Sequence, residues 1–104
     1  MINKNILGLI GLAMKAGKVA FGADSVEQEI KKEKVKLVLI AEDSSERTKT
    51  KFQKICNDNN VRFLILGDIN TMSKAIGKNN KAIVGIEEEN LAKQIIKVNY
   101  GGED

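Results

Sequence analysis

Helical and strand-like periodicities alternate through nine stretches, beginning and ending on a helix. This order predicts an α/β protein, a three-layer α/β/α sandwich around a central four-stranded, mixed sheet. The run Val35-Lys36-Leu37-Val38-Leu39-Ile40-Ala41 is nearly continuous in apolar and β-branched residues, as a strand buried on both faces should be. Hydrophobic residues make up 42% of the chain but aromatic ones only 4%, with no Trp and no Pro, so Ile, Leu and Val must fill the core. A chain of 104 residues closes one such core and not two. Positions 1–98 are therefore expected to form a single domain, and 99–104 a short acidic tail that frays.

Taken in order, Asn3 or Asn5 can cap a first helix running to about Ala16. Ile6, Leu9, Ile10, Ala13 and Met14 form its apolar stripe, and Leu7 and Leu12 widen it, so more than half of this helix is expected to be buried. Gly17 suits the left-handed position that ends a helix. Val19-Ala20-Phe21 is a short, β-prone strand. Gly22 then leaves room for close backbone approach, and Asp24 or Ser25 can cap a second helix. Ser25 with Gln28, or Asp24 with Glu27, has the spacing of a capping box. This helix turns Val26 and Ile30 inward and Lys31, Lys32 and Lys34 outward.

After the apolar run, Glu42-Asp43-Ser44-Ser45 ends the strand and caps a third helix from about Ser45 to Asn57, with Asp43 expected to serve that cap. Phe52, Ile55 and Cys56 face in, while Arg47, Lys49, Lys51 and Lys54 face out. Asn57 to Asn60 is a turn, Val61 to Leu66 a strand, and Gly67-Asp68 opens a fourth helix carrying Ile69, Met72, Ala75 and Ile76. Gly77 closes it. The loop Lys78-Asn79-Asn80-Lys81 leads to a last strand, Ala82 to Ile86, and a fifth helix from about Glu88 to Val98 with Leu91, Ala92, Ile95 and Ile96 inward.

Charge and composition narrow the function. Net charge is only +3, yet the residues through Ile86 carry fifteen basic and nine acidic side chains, against two and five from Glu87 onward. A basic body of this kind fits a polyanion partner. One cysteine excludes an internal disulfide; Cys56 falls on the apolar side of its helix and reads as a buried, inert thiol. With no histidine, the usual triads and histidine metal sites are absent, and neither a metal nor a cofactor is expected. Gly11, five residues, then Gly17-Lys18-Val19 imitates a phosphate-binding loop but fails three ways. The spacing is one residue too long, Val19 replaces the Ser/Thr metal ligand, and the glycine ends a helix. The apolar run Ile6 to Met14 is too short to span a bilayer and lacks a signal-peptide cleavage pattern, so a cytoplasmic, non-enzymatic protein is expected, acting as a monomer away from membranes.

Chemistry concentrates at the second helix's N-terminus. Free backbone N–H groups there, with Lys15 and Lys18 expected to flank them, attract anions, and the stretch reads as touching RNA phosphate and base edges. The run Leu9-Ile10-Gly11-Leu12-Ala13-Met14-Lys15-Ala16-Gly17-Lys18, then Gly22, then Lys36 through Ser45, and later Ser73-Lys74-Ala75-Ile76-Gly77 resemble the ribosomal protein L-seven-Ae and L-thirty-e superfamily, in its small bacterial YlxQ-like branch. The resemblance spans Ile6 to Ile96. It implies an α/β/α domain binding structured RNA, often a kink-turn, with ribosomal RNA and the ribosome as candidate partners. In that family the tip of helix two enters the groove at tandem sheared G·A pairs, and a loop after helix four covers an extruded nucleotide.

Of the family's Gly-x-Asn-Glu-x-x-Lys motif, Gly22 is retained, with Ala23 after it; Asp24 stands at the Asn, Ser25 at the Glu and Gln28 at the Lys. Gln28 and Ser25 can still donate and accept, whereas an ionised Asp24 brings the wrong charge towards phosphate. Lys32, outward on the same helix, is also expected to contact RNA. The second loop corresponds to Gly77, Lys78, Asn79, Asn80 and Lys81, lysines for phosphate and asparagines for base edges. The alternative reading is a protein-interaction module that kept the fold and lost high-affinity RNA binding.

Overall fold

The computed structural model describes residues 2–101. In chain order the elements are α1 (Lys4–Lys15), β1 (Val19–Phe21), α2 (Ala23–Lys31), β2 (Leu37–Ile40), α3 (Glu46–Asp58), β3 (Arg62–Ile65), α4 (Ile69–Ala75), β4 (Ile83–Ile86) and α5 (Glu89–Asn99). The four strands form one sheet in the order β1-β4-β2-β3. β2 and β3 are parallel, and β4 runs antiparallel to both β1 and β2, so the sheet is mixed, as predicted. This topology sets the ends of the molecule. The starts of β1, β2 and β3 lie at one end of the sheet together with the end of β4. The opposite end gathers the tip of α2, the loop after β2 and the loop before β4.

Strand pleating divides the core into two layers, because successive side chains point to opposite faces. Leu37, Leu39, Val84 and Ile86 pack with Ile6, Ile10, Met72 and Ile95 beneath α1, α4 and α5. Val38, Ile40 and Ile83 pack with Val26, Ile30, Phe52 and Cys56 beneath α2 and α3. Burial on both faces explains why β2 reads as a continuous apolar run. Its flanks stay paired after the strand ends: Lys36 N–H donates to Ile86 O at 2.7 Å and Ala41 N–H to Ala82 O at 2.9 Å. Gly85 lets α2 lie close on β4, since a Cβ there would meet Val35 Cγ1 and Cγ2 at 3.3 Å and Val26 Cγ1 at 3.5 Å. Burial also pushes the Cys56 thiol up to about 11, which keeps it protonated and unreactive.

Three local expectations are corrected. Leu12 is 55% exposed: it lies on the outer face of α1 with Gly8 and Lys15, turned away from the core. Ser45 alone caps α3, accepting from Thr48 N–H at 3.1 Å, while Asp43 Oδ1 accepts from Ile69 N–H at 2.9 Å. Asp43 thus ties the loop after β2 to the start of α4, a long-range bond that no local pattern could reveal. No capping box forms on α2. Its N-cap is Gly22, with no side-chain cap, and Glu27 instead pairs with Lys31 at 3.5 Å and with Lys51 of α3 at 3.4 Å. Tyr100 and Gly101 follow α5 as a turn; the rest of the expected acidic tail, 102–104, lies outside the described residues.

Candidate nucleic-acid interface

Gly22 determines how α2 begins. Its φ of +88° and ψ of 150° lie in a region open essentially to glycine alone, and this turns the chain sharply out of β1 into the helix. Its N–H donates to Ile83 O at 2.9 Å and its carbonyl accepts from Val26 N–H at 3.0 Å, so both sides of the turn are held. Four helices carry a side-chain cap, from Asn3, Ser45, Asp68 and Glu88, and α2 does not. The N–H groups of Ala23, Asp24 and Ser25 point outward without a partner among the described residues. All three residues are exposed. Asp24, in the first turn, faces the positive end of the helix dipole, which gives its charge a structural reason.

The loop after α4 is brought directly against this tip. Gly77 (φ +69°) and Asn80 (φ +56°) take left-handed backbone, and the buried Ser73 hydroxyl accepts from Lys81 N–H at 2.7 Å. Ser73 O also accepts from Lys78 N–H at 2.8 Å. So held, the loop places Lys78 Nζ 5.1 Å and Lys81 Nζ 5.6 Å from the centroid of the Phe21 ring. A Cβ added at Gly22 would lie 4.0 Å from Lys81 Nζ. Two ammonium groups and an open helix N-terminus therefore converge around one half-buried aromatic ring. An anion bound at this place would be attracted by both ammonium groups. Asn79 and Asn80 are exposed on the same loop.

The expected site divides in two. Gly22, Ala23, Asp24, Ser25, Gln28, Gly77, Lys78, Asn79, Asn80 and Lys81 lie around the α2 tip. Lys15, Lys18 and Lys32 do not. Lys18 precedes β1, where its carbonyl accepts from Glu87 N–H at 2.8 Å, and Lys15 is the last residue of α1 at that same end of the sheet. The expectation that these two flank the helix tip is corrected, because β1 runs its whole length between them and Gly22. Lys32 caps the far end of α2 and pairs with Glu29 at 3.5 Å.

Between the two ends runs an open groove of about 240 Å³, lined by Val19, Ala20, Phe21, Ser25, Gln28 and Glu29. Near its far end Glu29 meets Glu87. Burial, then the hydrogen bond and charge of Glu29, hold the Glu87 carboxyl above the ordinary range, while the hydrogen bond from Glu87 holds Glu29 below it. Phe21 and Ser73 were not legible as site residues: Phe21 reads only as strand, and Ser73 only as the first residue of the family-like run Ser73 to Gly77. No group of three or more acidic, cysteine or histidine side chains converges as a metal site among the described residues, and no helix there is long and apolar enough to cross a membrane.

The chain has known relatives. The chain is 33% identical over 90 residues to the RNA-binding protein YlxQ of Bacillus subtilis, covering 86% of this chain and 90% of that protein. It is 36% identical over 88 residues to the RNA-binding protein YlxQ of Enterococcus faecium, covering 85% and 84%. Among solved structures, a Bacillus halodurans protein of unknown function superposes with a TM-score of 0.88 at 23% identity, covering 92% of this chain and 97% of that one. The Giardia lamblia 15.5kD RNA binding protein superposes with a TM-score of 0.78 at 17% identity, covering 97% and 92%. These two establish the fold alone. Residues 4–96 match the sequence profile of one family across nearly all of the described chain, and the protein belongs to the ribosomal protein L7Ae/L30e/S12e/Gadd45 family.

Proposed function

We propose that this protein binds structured RNA, of the kink-turn or ribosomal kind, and carries out no reaction on it. One observation carries the reading: the only helix without a side-chain cap among the described residues begins where Lys78 and Lys81 converge over Phe21. An open N-terminus offers N–H donors to phosphate oxygens, and the lysines add charge at the same place. Ser25 and Gln28, exposed beside them, can meet base edges. That the YlxQ relatives carry the name of RNA-binding proteins supports the reading. We place the protein in the cytoplasm as a monomer, in keeping with a single buried thiol and no disulfide.

Asp24 is the observation that favours a second reading, a protein-interaction module with a weakened RNA site, since its carboxylate stands exposed among the open N–H groups. Salt separates the two. Lys78→Ala with Lys81→Ala should weaken binding to a synthetic kink-turn RNA and lower the slope of log K against log salt by about 0.7 to 0.9 for each phosphate no longer neutralised. An unchanged slope would remove the 77–81 loop from the interface and favour the protein partner.

A further inference from the structure

The groove along β1 has a use that the helix tip does not exhaust. β1 is an edge strand, paired only with β4. Its register pairs Val19 with Ile86, Ala20 with Gly85 and Phe21 with Val84, and the bonds from Gly22 N–H to Ile83 O and from Glu87 N–H to Lys18 O fix which pairs exchange hydrogen bonds. Antiparallel pairing alternates. Lys18, Ala20 and Gly22 therefore point their peptide groups at β4, while Val19 and Phe21 point theirs away from the sheet. Two N–H donors and two carbonyl acceptors, spaced about 7 Å apart along the edge, face the groove without a partner among the described residues. The opposite wall is one face of α2: Ser25, Gln28 and Glu29. Glu29 pairs with Lys32 at 3.5 Å, and its carboxylate is an acceptor for amino and imino hydrogens.

We propose that this groove holds an unpaired RNA segment, whose base edges are read by the main chain of Val19 and Phe21 and by the Glu29 carboxylate. The proposal rests on the RNA reading above and extends it from the helix tip along the strand. Charge favours this occupant at one mouth, where Lys78 and Lys81 stand over Phe21; at the other, Lys18 is exposed, while Lys32 is paired with Glu29. The path from Gly22 to Lys18 is about 13 Å, the length of three to four bases stacked at roughly 3.4 Å each, of which only the edges would enter a groove of about 240 Å³. A peptide adding itself to β1 fits worse. It would find only two outward-facing residues on a three-residue strand, and polar Ser25, Gln28 and Glu29 where alternate side chains need pockets. Glu29 favours guanine, whose N1–H and N2 amino hydrogens can donate side by side to one carboxylate, over uracil, which presents only its N3–H.

Hydrogen exchange reads this directly, because the Val19 and Phe21 amides have no partner in the free protein. The probes are two synthetic kink-turn RNAs with the same bulge, identical except that one carries an additional unpaired run of about four nucleotides beside the G·A pairs, matched to the groove's length. With that RNA, both amides should slow at least about tenfold; with the RNA lacking the added run they should not. Replacing guanine by uracil in the run should weaken binding to the wild-type protein, and Glu29→Gln should level that difference. Unchanged exchange at Val19 and Phe21 with both RNAs, while Lys78→Ala with Lys81→Ala still lowers the salt slope, would overturn the groove and leave the tip standing. If the lysine pair has no effect on either RNA, the RNA reading itself fails. Amide protection arising only as protein concentration rises, without RNA, would assign the edge to a second copy of the chain and overturn the proposal.

Discussion

Gly22→Ala isolates the turn on which the interface depends. A Cβ there meets nothing closer than Lys81 Nζ at 4.0 Å, the far end of a flexible side chain, so crowding contributes little. The backbone contributes nearly everything: φ +88° with ψ 150° costs a non-glycine residue about 1–3 kcal/mol. Relaxing φ would rotate the peptide away from Ile83 O or Val26 N–H, and each broken hydrogen bond gives up about 1 kcal/mol, so relaxation offers no cheaper route. For a domain of this size about 4–8 °C in Tm accompanies each kcal/mol. Gly8→Ala supplies the opposite sign. Gly8 lies inside α1 with nothing within 4 Å of an added Cβ, so alanine there should stabilise by about 0.5–1 kcal/mol. Urea titration of both variants gives the two numbers, and kink-turn RNA titration of folded Gly22→Ala should show a further loss because the tip of α2 is re-aimed. If Gly22→Ala costs less than about 0.5 kcal/mol, no better than an ordinary surface change, the strained turn is refuted as the device that orients the helix.

Leu39 is fully buried at the centre of β2, so Leu39→Ala should cost about 2–5 kcal/mol in a denaturant titration; a loss below about 1 kcal/mol would contradict its burial. Glu87 binds its proton more tightly folded than unfolded, so its contribution to stability is present in full below the ordinary value of 4.5 and is lost as pH rises through the raised folded value. Glu29 runs the other way, its share present above 4.5 and lost as pH falls through its lowered value. Glu87→Gln keeps a donor for Glu29 and removes the charge. Its stability relative to wild type should therefore climb as pH rises above 4.5, and a difference that does not change between pH 4 and 7 would show the carboxyl pair is not coupled. At the helix tip, Asp24→Asn, Ser25→Glu and Gln28→Lys together restore the family motif with a net change of only one charge. The triple variant should bind a kink-turn RNA about 1–3 kcal/mol more tightly, the worth of one good bidentate contact, with little gain on an unkinked duplex. Equal gains on both RNAs would mean that charge alone was responsible.

The chain's periodicities by themselves determine its nine elements and most of their buried faces, because burial at i, i+3 and i+4 or on alternate residues is a local property of the sequence. The apolar run through Leu37–Ile40 already demands a strand covered on both sides, and an alternation beginning and ending on helices demands layers. Gly22 and the loop from Gly77 to Lys81 were likewise legible, as a glycine between strand and helix and a polar loop with two lysines. What sequence could not decide is what each end of the sheet brings together. Leu12 fits the apolar stripe of α1 but faces outward, because the neighbouring helices cover the other side. Asp43, an apparent local cap, binds Ile69 N–H across 26 residues. Lys15 and Lys18 are close to Gly22 in sequence, yet β1 carries them to the opposite end of the molecule. Lys78 and Lys81 meet Phe21 only because β4 folds antiparallel beside β1, with Ser73 clamping the loop between them. Strand order and edge are decided by how whole faces pack, over separations of sixty residues, and no window of local sequence carries that information.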